Sequence, residues 1–307
     1  MKEVRPRWVA NYDEVAESFA HFTGLVTAPL AAAMVRLAGL SPTDRILDVG
    51  TGTGIVALSA AGQISPPGMV TGIDLAAGQL AVAKRKIEEA ALSDRIGLML
   101  GDAENLPFED AKFDVVLSLF ALFHFPHPEK ALSEIMRVLK PGGRMVIGVG
   151  AGPAWTSLKG WRHRLRRIPD LIRLQRGTLL LGPAQIERLV SQHLASSHLT
   201  EVAGLTKDYW FRGSKTEALV RQAGFANIQV GWEGCDLVLD DAVQFWDLQS
   251  TFSSLARTRL SAADPRQLES IQNRFLAECR EVQGRGGTLE YHSGALFVSG
   301  GRALNPG

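Results

Sequence analysis

The sequence predicts a doubly wound α/β fold: a mostly parallel sheet with an antiparallel last strand, an N-terminal helical cap and two helical insertions. Three observations predict it. Between residues 43 and 149, short apolar runs alternate with amphipathic stretches of helical period, as in repeated βαβ units. Residues 45–54, R-I-L-D-V-G-T-G-T-G, pass from an apolar strand through a glycine turn to a helix start at Ile55. Three successive strand ends carry acids: Asp48, Asp74 and Asp102. In a parallel sheet all three fall on the carboxyl edge, where ligands bind.

Two helices open the chain. Residues 11–22 place Val15, Ala16, Phe19 and Phe22 on one face, and residues 30–40 stop at Gly39 and Ser41-Pro42. Thr23-Gly24 reads as the loop between them. The first strand leads into Gly50, Thr51, Gly52 and Gly54. Such a turn lets backbone approach a ligand closely and aims the free N–H groups of the next helix at it. Alone it is a weak signal, equally a tight βα connection that holds nothing. Residues 57–64 form the crossover helix, 65–68 a turn, and 69–74 a second strand ending in Asp74. That spacing puts an acid where ribose hydroxyls lie in a nucleotide-binding βαβ unit.

In the helix 79–91, Leu80, Ala83, Ile87, Ala90 and Ala91 point inward, and Lys84, Arg85, Lys86, Glu88 and Glu89 form a solvated face. The third strand, 96–100, ends in Gly101-Asp102-Ala103. Residues 113–118 are apolar enough for a strand covered on both faces. A helix over 128–139 closes at Lys140-Pro141-Gly142-Gly143, and 144–149 is the fifth strand.

Residues 151–214 break the rhythm, contain no good strand, and read as a helical lid. Within them, 155–176 is basic: Lys159, Arg162, Arg164, Arg166, Arg167, Arg173 and Arg176 stand against Asp170 alone. Leu158, Trp161, Leu165, Ile168, Leu171 and Ile172 give an apolar face that Pro169 kinks or splits. The plain reading is a lid with a solvated face; the functional ones are an anionic substrate or an anionic membrane surface. A helix over 215–222 and a strand over 228–232 return to the core. Residues 236–283 read as helical, with Phe245, Trp246, Leu248, Phe252 and Leu255 and then Leu268, Ile271, Phe275 and Leu276 as core stripes. The last strand covers 288–299. The expected organisation is a cap (1–40), a ligand-binding core (41–150), a lid insertion (151–214), a core helix and strand (215–234), a second helical insertion (235–286) and a last strand with tail (287–307).

Composition bounds the rest. At 46% hydrophobic and 21% charged over 307 residues, this is a globular chain, and a net charge of +1 gives no reason to expect nucleic acid. Two distant cysteines, Cys235 and Cys279, form neither a zinc spacing nor a disulfide framework. The first residues lack the apolar core of a signal peptide, and no apolar run reaches the ~20 residues of a membrane span. A cytoplasmic enzyme is expected.

The blocks I-L-D-V-G-T-G-T-G, G-I-D-L, G-D-A-E-N-L-P-F, F-D-V-V-L-S and R-V-L-K-P-G-G, in that order, resemble class I S-adenosylmethionine-dependent methyltransferases, especially the small-molecule type of ubiquinone and menaquinone biosynthesis. The resemblance covers residues 12–149 and is specific as a set. It implies a Rossmann-like sheet and S-adenosyl-L-methionine as cofactor. By resemblance, Gly50, Thr51, Gly52 and Gly54 lie along the methionine part, and Asp48 reaches its amino group directly or through water. Asp74 accepts both ribose hydroxyls, which suits a carboxylate with two oxygens. Leu75 covers one face of the adenine. Asp102 takes the adenine amino group, with a backbone N–H from Ala103; a plainer role for Asp102 is a turn cap. Ser118 and Leu119 contact the methionine end. Tyr12 matches a tyrosine of the family's N-terminal segment, which covers the cofactor; its alternative is simple packing onto the sheet. His124, just past the fourth strand, matches a histidine the family often places near the methyl group. A neutral imidazole there can take a proton, and the alternative is a histidine tied to loop backbone. His127, Tyr209, Glu233 and His292 are further proton acceptors without a spacing argument.

Methyl transfer from a sulfonium is an in-line displacement that needs positioning and exclusion of water, with no metal or covalent intermediate. The acceptor, an oxygen, nitrogen or carbon of a small molecule, is not legible. Three rivals stand beside this reading. A nicotinamide-dependent oxidoreductase would carry G-x-G-x-x-G, but Ile55 occupies the third glycine position and Gly54 precedes it. A non-catalytic module that binds S-adenosylmethionine would carry the same motifs. A prenylated, lipid-like substrate at a membrane surface is motivated by the basic segment. The absence of Asp/Asn-Pro-Pro-Tyr after the fourth strand argues against methylation of nucleic-acid amino groups. A homodimer through the inserted helices is left open.

Overall fold

The computed structural model describes Tyr12 and residues 15–153, 158–194 and 212–304. The helix start at Asn11, Trp155 at the head of the basic stretch, and Tyr209 lie outside the described residues. The chain divides into two compact units: Met1–Gly152 with Tyr209–Glu233 and Gly294–Gly307, and Pro153–Asp208 with Gly234–Ser293.

The first unit opens with α1 (Ala16–Phe22), a π-helical turn (Thr23–Thr27) and α2 (Ala28–Ala38) in unbroken succession. The loop expected at Thr23-Gly24 is therefore helix. Thr23 is buried and its hydroxyl donates to the Ala20 carbonyl at 3.0 Å, so this polar residue is satisfied without leaving the helix. Ala16–Ala38 is thus long and apolar enough to cross a membrane by length and composition, although no such run was expected. Its apolarity has a packing reason: 56% of the most apolar window is buried, and Leu30, Ala31 and Met34 are at most 1% exposed. Gly39 ends α2 in the left-handed conformation at φ 56°.

The sheet of this unit follows from β1 (Arg45–Val49), α3 (Ile55–Ala61), β2 (Met69–Asp74), α4 (Ala77–Glu89), β3 (Ile96–Leu100), β4 (Phe113–Leu119), α5 (Pro128–Val138) and β5 (Leu139–Gly150). Strand order is β3-β2-β1-β4-β5, all parallel. Ile46, Leu47, Val49, Val115 and Leu117 are fully buried, as in a sheet covered on both faces. Register aligns Val49 with Ile73, Asp74 with Leu100, and Asp48 with Leu117, so the acidic strand ends share one edge. Two expectations change. In α4 the buried positions are Gln79, Val82, Ala83 and Ile87, while Ala90 and Ala91 are exposed beyond the helix end. β5 begins at Leu139, not Arg144. Lys140-Pro141-Gly142-Gly143 form an irregularity in the strand, between the pairs Phe113–Leu139 and Val115–Arg144.

The second unit begins with α6 (Leu158–Arg166) and α7 (Ile168–Gln175). The expected kink is a break at Arg167, because Pro169 lies in the first turn of a new helix, where its missing N–H costs nothing. β6 (Leu179–Gly182) is a strand where none was expected, and it is followed by α8 (Ala184–His193). Its four-residue Leu-Leu-Leu-Gly run is too short to show a period; pairing decides it. After α9 (Arg212–Gln222) in the first unit, β7 (Ala226–Leu239) runs from that unit into the second. It continues through residues 236–239, which were expected in a helix. The second unit then adds α10 (Ala242–Phe252), α11 (Ser254–Leu260) and α12 (Pro265–Gly284), and β8 (Thr288–Gly301) returns to the first. Each helix start is capped: Asp241 on Val243, Ser253 on Ala256, and a reciprocal Asp264–Gln267 box. Phe245, Trp246 and Phe275 form the aromatic core of this unit, with ring centroids 5.2–5.7 Å apart. Leu289 on β8 pairs in parallel with Leu180 of β6. In the first unit β8 pairs antiparallel with β5, from Ala295–Gly150 to Gly301–Arg144. The α/β fold with an antiparallel last strand is the observed one; β7 also pairs with β8.

One polar staple holds the loop after β3. Arg137 on α5 donates to the Leu106 and Phe108 carbonyls at 2.9 and 2.7 Å and to Glu134 and Asp110. Glu134 in turn accepts from the Leu106 amide at 2.8 Å. Arg137→Ala removes these donors at once, and the expected loss is about 2–3 kcal/mol of unfolding free energy in urea melts. A loss below about 0.5 kcal/mol would show that the loop is held by its apolar residues alone.

Candidate functional site

The turn after β1 is built from left-handed glycines, with φ of 71° at Gly50, 54° at Gly52 and 80° at Gly54. The amides of Gly50 and Thr51 both donate to the Ile73 carbonyl, at 2.9 and 3.0 Å, which pins the turn to β2. At Gly50 glycine is required twice. The backbone is left-handed, and a Cβ there would collide with the Cβ of Ala121, in the loop after β4. Thr53 reaches Thr23 of the N-terminal helix, hydroxyl to hydroxyl, at 3.3 Å.

Asp74, at the end of β2, accepts the Gly52 amide on one oxygen at 2.8 Å and the Ala76 amide on the other at 2.9 Å. It therefore clamps the turn and starts α4. Each carboxylate oxygen has capacity for a second donor. Leu75 beside it is half-buried. Asp102, exposed at the end of β3, accepts the Glu104 amide at 2.8 Å; this is the turn-cap geometry, with Ala103 buried behind it. Ser118 donates its hydroxyl proton to the Val49 carbonyl at 2.9 Å and so ties β4 to β1. Leu119 is nearly buried and fills the space that Gly148 leaves open on the neighbouring strand.

Asp48 is 1% exposed. One of its oxygens accepts the Thr51 hydroxyl at 2.6 Å; the other has no hydrogen-bond partner. Burial pushes its carboxyl up to about 7 and the charge of Asp74 adds to this, against the Thr51 hydroxyl and the Ala57 amide. Sequence reasoning missed a companion, Gln79. It is 2% exposed, its side-chain amide donates to the Tyr12 carbonyl at 2.9 Å, and its Oε1 is buried without a partner. That oxygen sits 3.6 Å from where a Gly52 Cβ would lie. A glutamine in the inward stripe shared with Val82 and Ala83 is the signal that could have found it.

Tyr12 and His124 meet. The phenol oxygen lies 3.3 Å from Nε2, and the rings are edge-on at 5.5 Å, with His124 at the end of a short 3₁₀ turn, Leu122–His124. Tyr12, Asp48, the glycine turn, Asp74, Leu75, Asp102, Ala103, Ser118, Leu119 and His124 thus all belong to the carboxyl edge of the first unit. Of the other proton acceptors, exposed His127 pairs with Glu129, Glu233 lies on β7, and His292 lies in the second unit beside Glu290.

A doubly wound sheet with a glycine turn and acids at successive strand ends defines a nucleotide-cofactor domain. The family described as a methyltransferase domain matches residues 47–147. A demethylmenaquinone methyltransferase of Lactiplantibacillus plantarum is 40% identical over 190 residues, 62% of this chain and 73% of that protein. A demethylmenaquinone methyltransferase of Symbiobacterium thermophilum is 37% identical over 139 residues, 44% of this chain and 55% of that protein. The chain thus spans about half the length of the latter relative. The YcgJ protein of Bacillus subtilis shares the fold, with a TM-score of 0.52 at 19% identity over 90% of this chain and 98% of that one. The chain belongs to the class I S-adenosylmethionine-dependent methyltransferases.

The residues fit the family's cofactor, S-adenosyl-L-methionine. Two buried acceptor oxygens without partners, on Asp48 and Gln79, flank the turn and suit an ammonium group. The carboxylate of Asp74 suits vicinal hydroxyls.

A raised folded-state pKa favours the fold below the unfolded value, near 3.8, and that contribution is lost as pH rises to about 7. Urea midpoints of the wild type should therefore decline across this window relative to Asp48→Asn. Superimposable pH profiles would show that burial does not raise this acid. An ammonium beside Asp48 favours the carboxylate, so S-adenosylhomocysteine should bind wild type more tightly above pH 7 than below it, and Asp48→Asn with a flatter profile.

Proposed function

We propose that this chain transfers the methyl group of S-adenosyl-L-methionine to a small molecule, and that the acceptor is a ring carbon of a demethylquinone. The name shared by both relatives, demethylmenaquinone methyltransferase, supports the acceptor; the 40% identity to one of them, over most of its length, carries the reading. When bound, the cofactor supplies a methyl group already activated on a sulfonium. The chain's residues then have three tasks. Asp48, Gln79 and the turn hold the amino-acid end, and Asp74 holds the ribose. Tyr12 and His124 stand at the same edge, and His124 is the candidate proton acceptor: the substrate gives up one proton for the methyl group it gains. Tyr12 orients the imidazole through Nε2. In this reading the enzyme is cytoplasmic and takes no nucleic acid.

Calorimetry with S-adenosylhomocysteine tests the cofactor site. Micromolar-range binding is expected, with loss in Asp74→Ala, whose carboxylate also clamps the turn; binding of NAD in its place would overturn the reading. Turnover of a demethylmenaquinone, followed by mass spectrometry, tests the acceptor. His124→Ala should lower kcat about 100-fold or more with cofactor affinity retained. Tight cofactor binding with no turnover of any quinone acceptor would reject the acceptor, and an unaltered kcat would dismiss His124.

A further inference from the structure

We propose that α6 and α7 form a docking face for an anionic lipid bilayer. The inference is independent of the methyl acceptor. Trp161 and Leu165 stand four residues apart on α6, and Ile168 and Ile172 four apart on α7, so each pair shares a helix face. They are 56, 59, 49 and 46% exposed, and Leu171 beside them is 61% exposed. A lid with a merely solvated face would bury its apolar stripe and leave its charges outside. Here the apolar stripe is outside.

The charges are sorted as well. Asp170, the acid of this stretch, is turned inward at 16% side-chain exposure and pairs with Arg167 and Arg173, at 3.2 and 3.3 Å. Arg173 goes on to Glu290 at 2.9 Å, and Arg167 also contacts His292. Arg162, Arg166 and Arg176 are exposed, and no ion pair to them is found among the described residues. The outer surface therefore carries exposed Trp, Leu and Ile side chains together with Arg162, Arg166 and Arg176, and the exposed acid nearby, Asp236, is taken up by Arg167 at 2.5 Å. That is the composition of a helix lying in a membrane interface, with apolar side chains entering the acyl boundary and guanidinium groups at the phosphates. Charge complementarity selects an anionic bilayer. Each arginine near such a surface strengthens binding about fivefold.

Flotation of the full chain with vesicles tests this, using phosphatidylcholine alone and phosphatidylcholine mixed with phosphatidylglycerol. Binding to the mixed vesicles is expected, weakened by salt, with little binding to the neutral ones. The double variant Arg162→Ala/Arg166→Ala should bind the mixed vesicles about twenty-five-fold more weakly. Leu165→Glu/Leu171→Glu should lose binding altogether, with an unchanged thermal midpoint because both positions are exposed. No flotation with anionic vesicles at low ionic strength would overturn the proposal, as would full binding by the leucine variant. A dimer in gel filtration that only the leucine variant dissociates would assign the face to a second copy of the chain instead.

Discussion

The clamp between the glycine turn and β2 is the constraint on which the site depends. Two amides donate to the Ile73 carbonyl and a third, from Gly52, to Asp74. Together they hold three left-handed glycines against the next strand, where an unclamped chain would lose such a shape to conformational entropy. Because the Asp74 carboxylate also accepts the Ala76 amide, the residue that resembles a ribose ligand is first a structural one. The turn is thereby held in shape by the chain's own hydrogen bonds. The Ala121 contact at Gly50 extends the clamp to the loop that carries His124.

Against this rigid frame stand two unsatisfied buried oxygens, on Asp48 and Gln79. A buried acceptor without a donor is destabilising, and a fold tolerates it where a ligand supplies the donor. Asp48 also lies deep enough that its ionisation is opposed. A cation beside it would restore the carboxylate, so affinity and protonation are linked at one atom. Tyr12 belongs to the same arrangement: its carbonyl takes the Gln79 amide while its phenol reaches His124, so this one residue bridges the two.

The second unit follows a different logic. It has its own aromatic core and capped helices, and it draws on two segments far apart in sequence. The apolar and basic residues of α6 and α7 were visible from composition, but whether they faced a core or solvent was not. Burial alone separates the two readings, and burial is a property of the packed unit.

Sequence by itself determined the first unit's elements and their order, and it singled out most of the residues that the fold gathers at the carboxyl edge. Strand runs, the glycine turn and acids at strand ends are local signals read at fixed spacing. Boundaries were less legible. Thr23-Gly24 reads as a loop until buried packing makes it helix, and Lys140-Pro141-Gly142-Gly143 reads as a stop until β4 pairs on both sides of it. Strand β6 and the far half of β7 were missed because four residues show no period and because pairing partners are distant. Gln79 was missed for the same kind of reason: a polar residue becomes a site only when tertiary packing buries it beside Gly52 and leaves its oxygen without a donor. Pattern along the chain names the chemistry; only the folded arrangement decides which polar atoms are buried without a partner.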